Sequence, residues 1–92
     1  MTFPSVVSRN DYGSIDASNN FIKSLPDNIS QQQDLWKLNL GRNVFKSVPS
    51  VISNMLSLKV ILLEHNRIQV VPSMLDELPY LEIVHMHGNP VR

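Results

Sequence analysis

Apolar residues recur along this chain on two scales. Over short distances they alternate: Ile15 with Ala17, Leu38 with Leu40, Ile61 with Leu63 and Val84 with Met86 each flank a single residue, which is the period of a strand with one buried face. Over longer distances each pair returns after 23 residues (38−15, 61−38, 84−61). The same interval aligns Tyr12, Leu35, Leu58 and Leu81; Ile22, Phe45 and Ile68; Leu25, Val48 and Val71; Ile29, Ile52 and Leu75; and, among non-core types, Pro26, Pro49 and Pro72 and Asn20, Asn43, Asn66 and Asn89. So many positions in one frame define an internal repeat. The frame predicts short parallel strands at 15–17, 38–40, 61–63 and 84–86, with these columns inward and the residues between them outward. The prolines fix φ where the chain turns away from the sheet. The segments after them, such as Ser50 to Leu56 and Ser73 to Leu78, are predicted to close each coil as irregular or short helical turns. No unit can bury its own apolar edge, so stacked neighbours must make the core.

Residues 35–45, Leu35-Trp36-Lys37-Leu38-Asn39-Leu40-Gly41-Arg42-Asn43-Val44-Phe45, follow the pattern L-x-x-L-x-L-x-x-N-x-L nearly literally. In this the chain resembles the leucine-rich repeat family. The pairs Leu25-Pro26, Val48-Pro49 and Val71-Pro72 make it similar to the 23-residue class of intracellular scaffolds of the Ras-suppressor and Scribble types. The resemblance covers residues 12–89. It implies an α/β solenoid: a horseshoe segment with a short-stranded parallel concave sheet and an irregular or short helical convex side. Residues 1–92 then form one domain, with repeats at 12–34, 35–57 and 58–80 and a partial repeat at 81–92. Residues 1–11 are the tail of a degenerate first repeat, because Phe3-Pro4 with Val7 echoes Leu25-Pro26 with Ile29. The resemblance also gives Asn20, Asn43, Asn66 and Asn89 a structural role, as inward amides that bond the backbone of adjacent coils at the turn after each strand.

The outward positions carry the functional signal. The first strand presents only small and polar groups at Gly13, Ser14, Asp16, Ser18 and Asn19. In the third, the unbroken run Val60-Ile61-Leu62-Leu63 breaks the alternation. Ile61 and Leu63 belong to core columns, so Val60 and Leu62 face outward. With Trp36 and Ile83 they form an expected apolar patch, rimmed by Lys37, Asn39, Arg42, Lys59, Glu64, His65, Glu82, His85 and His87. An apolar centre with a charged and polar rim is the anatomy of a protein interface. The candidate partner-binding residues are therefore Trp36, Lys37, Asn39, Arg42, Val60, Leu62, Glu64, Ile83, His85 and His87.

Composition narrows the alternatives. Eight Lys and Arg balance eight Asp and Glu over 92 residues, so no net field favours nucleic acid or an anionic membrane. With no Cys, disulfides, thiolate metal sites and a Cys nucleophile are excluded, and a reducing compartment is favoured. No basic leader with an apolar segment opens the sequence, and no stretch approaches the length of a membrane span, so the chain reads as soluble and cytoplasmic. Asn28-Ile29-Ser30 has the form of an N-glycosylation acceptor, but nothing else points to secretion. His65, His85 and His87 lie near Glu64 in the frame, yet an open face supplies no enclosed cavity for a catalytic metal. No nucleophile turn, phosphate loop or paired-acid constellation is present.

The function expected is a non-catalytic adaptor or scaffold module that needs no cofactor and binds a protein partner on the concave face. An alternative is a structural subunit or fragment. In relatives Gly88-Asn89-Pro90 would lead into a capping segment, and its lack exposes Leu81, Val84 and Met86 at a C-terminal edge that a larger assembly or a second copy would bury.

Overall fold

The structure is a computed structural model that describes the backbone of residues 8–10 and, with side chains, residues 13–25 and 34–91. Tyr12, Pro26, Ile29, Asn28-Ile29-Ser30 and the Phe3-Pro4-Val7 echo lie outside the described residues. The strands are β1 (Ser8–Asn10), β2 (Ser14–Asp16), β3 (Lys37–Asn39), β4 (Val60–Leu62) and β5 (Ile83–His85). They form one sheet in sequence order. From β2 to β5 every pairing is parallel and offset by the repeat interval, so Ile15, Leu38, Ile61 and Val84 stand side by side. The parallel ladder runs past the assigned strands at both ends: Lys59 N–H donates to Trp36 O at 2.8 Å, and Arg42 N–H to Glu64 O at 2.8 Å.

β1 does not continue this pattern. It pairs antiparallel with β2, Arg9 opposite Ile15. Gly13, immediately before β2, has a φ of 81°, the left-handed conformation that glycine adopts without steric cost.

The core lies behind the sheet. Ile15, Leu38 and Ile61 enter it from the strands, Leu40 and Leu63 from just beyond them, and Ile22, Phe45 and Ile68 from the segment after each asparagine. Pro49 and Pro72 adopt extended φ and ψ and lead into 3-10 turns at Ser50–Asn54 and Ser73–Glu77. In these, Ile52 N–H bonds Pro49 O and Leu75 N–H bonds Pro72 O, the i to i+3 closure of that helix type. Each turn sends one buried residue, Ile52 or Leu75, back to the core. Among the described residues these turns are the helical segments of the fold.

Between the coils runs a second set of bonds made by asparagine amides. Asn43 Oδ1 accepts from Asn20 N and Ile22 N, both at 2.9 Å, and its Nδ2 donates to Ala17 O, Leu40 O and Gly41 O. Asn66 repeats this one coil on, accepting from Phe45 N and donating to Leu40 O and Leu63 O. Asn89 does the same, to Ile68 N, Leu63 O and Met86 O. Asn20 donates within its own coil, to Ala17 O and Ser18 O. Leu40 O and Leu63 O thus each accept from two successive asparagines, which fills both lone pairs of a carbonyl that no strand partner reaches.

Candidate interaction face

The outward face is built by strand alternation. Ser14, Lys37, Val60 and Ile83 form one row across the sheet, and Asp16, Asn39, Leu62 and His85 the next. Neighbours in a row are about 4.8 Å apart. Val60 and Ile83 are therefore in lateral contact range, with Leu62 two residues along the same strand. Ile83, on the last strand, is 44% exposed, and Val60 and Leu62 are half-buried.

Trp36 stands apart from these three. It is 37% exposed, but the Cδ1 edge of its indole lies against Gly13, on the coil-one side, where an added Cβ would come within 3.1 Å of it. It precedes Lys37 in the chain and lies outside the row that Lys37 shares with Val60. The structure thus divides the expected four-residue patch into an aliphatic cluster, Val60, Leu62 and Ile83, and a flanking indole.

The polar half of the face is tied down. Ser18 donates to Asp16 Oδ1 from its backbone N at 3.0 Å and its hydroxyl at 2.6 Å, and Gly41 N–H donates to Asn39 Oδ1 at 3.1 Å. The bonds from the Ser18 hydroxyl and backbone hold the Asp16 carboxyl below its ordinary range, with Lys37 adding to the effect against a small opposing contribution from burial. At the third position of this row Leu62 replaces the turn-forming side chain, so the face changes from polar to apolar between coils two and three.

Glu64 closes the far side. Its carboxylate rests on Gly41, where an added Cβ would meet Oε1, the movable end of that side chain. Glu64 Oε2 also lies 3.8 Å from His85 Nδ1, an ion pair when the imidazole is protonated. The rings of His65 and His87 meet edge-on with centroids 5.3 Å apart, and His85 and His87 are 6.0 Å apart and tilted. These side chains pack on one another rather than converge, and among the described residues no group of three His, Asp or Glu is arranged to hold a metal ion.

A backbone feature of the face carries no sequence signature in its central coils. Asn19, Arg42, His65 and Gly88, each immediately before a ladder asparagine, all have positive φ: 62°, 57°, 57° and 78°. Asn and Gly tolerate this conformation, whereas a long or ring-bearing side chain does so at a cost of about 1–2 kcal/mol.

The frame of strand positions does not extend to the segment after each asparagine, and a second group lies there. Lys23, Lys46 and Arg67 line one depression together with Val44 and Ser47. The repeat interval between Lys23 and Lys46, and between Val44 and Arg67, is the signal in the sequence that locates it. Phe21, beside it, is 71% exposed. Among the described residues no helix is long and apolar enough to cross a membrane.

The chain is similar to the solved structure of a leucine-rich repeat protein from Leptospira interrogans, with a TM-score of 0.78 and 26% sequence identity. The likeness covers 86% of this chain but 20% of the other, so the chain spans about a fifth of that protein's length. No family model and no curated protein matches the sequence. The parallel ladder in steps of the repeat interval and this likeness together give the chain a leucine-rich-repeat-like fold.

Proposed function

We propose that the chain is a non-catalytic protein-interaction module of the 23-residue intracellular class, acting in the cytoplasm without a cofactor and binding a protein partner on the outward, concave face of its sheet. The observation that carries this is the registered aliphatic cluster, Val60 beside Ile83 with Leu62 next to them, on a face whose other members are polar or charged. Lys37, Asn39, Arg42, Glu64, His85 and His87 form its rim, and Trp36 is a separate anchor. The rigid ladder beneath reduces the ordering cost of association.

The test is capture of the native partner by the chain and its variants. Leu62→Asp and Ile83→Asp are expected to abolish capture while circular dichroism stays unchanged. Capture that survives both substitutions in a folded chain sinks the proposal. Arg42→Asn is expected to raise stability by about 0.5–1 kcal/mol by relieving the left-handed backbone and to weaken capture.

A second reading, an end-on contact in a larger assembly or with a second copy, is favoured by coil four. Leu81, Val84 and Met86 are only partly buried, although their counterparts Leu58, Ile61 and Leu63 are fully buried. Val71, Leu75, Leu78, Leu81 and Val84 line a depression there, together with Asp76 and Glu82. Sedimentation across a concentration series is expected to show association in that case, and a monomer throughout counts against it.

A further inference from the structure

We propose that the depression between Lys23, Lys46 and Arg67 is a binding site for a soluble phosphate-bearing anion. Three successive coils contribute one cation each. Lys23 and Lys46 occupy equivalent positions in coils one and two, and Arg67 reaches in from coil three, with Val44 as the apolar wall and the Ser47 hydroxyl as a neutral donor. No carboxylate is among the described residues lining it. Among the described residues none of the three cations makes an ion pair or a side-chain hydrogen bond. Among the described residues these three charges thus stand together without an acidic neighbour in the site, although the whole chain has a formal net charge of zero.

The backbone beneath the site is fixed. Val44 N–H donates to Ile22 O at 3.0 Å and Arg67 N–H to Phe45 O at 2.8 Å, which locks the three segments in register. Coils stacked at about 5 Å bring two ammonium groups and a guanidinium within reach of one tetrahedral anion. The flat guanidinium fork suits two phosphate oxygens, and the lysines act as point charges. An adjoining depression shares Lys23 and Ser47 and adds Ser24 and Ser50, room and donors for a second phosphoryl group. A carboxylate offers fewer oxygens and less charge than three cations can match, so phosphate and diphosphate groups are favoured.

The test is titration of the full chain with pyrophosphate and with inorganic phosphate at constant low ionic strength, followed by amide NMR shifts. The expected result is saturable shifts confined to the backbone around Lys23, Val44 to Ser47 and Arg67, with pyrophosphate binding more tightly. Lys46→Gln and Arg67→Gln are each expected to weaken it about tenfold, and Lys23→Gln serves as the third variant should either of those disturb the fold. Four results overturn the proposal. One is a linear, unsaturable response, a second is equal shifts at Lys37 and Lys59 on the sheet face, and a third is affinity unchanged in the variants. The fourth is binding to phosphatidylcholine vesicles containing phosphatidic acid with none to soluble pyrophosphate, which would make this a membrane-contact surface.

Discussion

Replacing Asn43 by Ala is expected to lower the unfolding free energy by about 3–5 kcal/mol. The side chain is buried and makes five bonds, two accepted from coil one and three donated. Alanine leaves Ile22 N–H and Ala17 O without this partner at a place where water enters poorly, and each such group costs about 1–3 kcal/mol. Some of that is recovered because Ala17 O still accepts from Asn20. Total stability for a chain of this length is about 5–14 kcal/mol, so the variant would lose a large part of it. Asn89→Ala makes the internal comparison. Its amide bonds coil three in the same pattern but is only part-buried, and about 1–2 kcal/mol is expected. Urea unfolding of both variants measures the difference; equal costs would mean that the amides act locally and do not couple the coils.

How much of this was legible in the sequence differs by residue, for physical reasons. The interval that aligns Leu38 with Ile61 is the register of the sheet, because in a stacked coil the residue one repeat later is the lateral neighbour. Burial is less legible, because it depends on the coils on either side. Val48 and Val71 share a column, yet Val48 is 7% exposed and Val71 47%. Gly41 lies under the Glu64 carboxylate of the next coil, a contact between coils that no local pattern encodes. The positive φ of Arg42 and His65 was hinted at by Asn19 and Gly88 at equivalent positions, since those residue types favour that conformation. The antiparallel course of β1 left no trace in the hydrophobic pattern, because alternation does not distinguish the direction of a neighbouring strand. The cluster of Lys23, Lys46 and Arg67 escapes any search for basic runs; it exists only once the chain is wound.

The contrast between Phe45 and Val71 gives the second large expected effect. Phe45 is the bulkiest fully buried side chain of the core, set between Ile22 and Ile68 of the flanking coils, and its own N–H is held by Asn66. Phe45→Ala is expected to cost about 3–5 kcal/mol, the lost transfer free energy plus the cavity left where the ladder on both sides prevents collapse. The variant also removes the filling between three coils at once, so in a stack stabilised by nearest neighbours the loss propagates to both interfaces. Val71→Ala, by the same chemistry at a half-exposed site, is expected to cost less than about 1 kcal/mol in a dilute monomer. The pair also separates the two functional readings. If the apolar end of coil four is covered by a second copy in solution, the cost of Val71→Ala will rise with protein concentration, while that of Phe45→Ala shifts only with the overall dimer stability. A Val71→Ala cost that stays small at every concentration counts against a second copy covering the end of coil four.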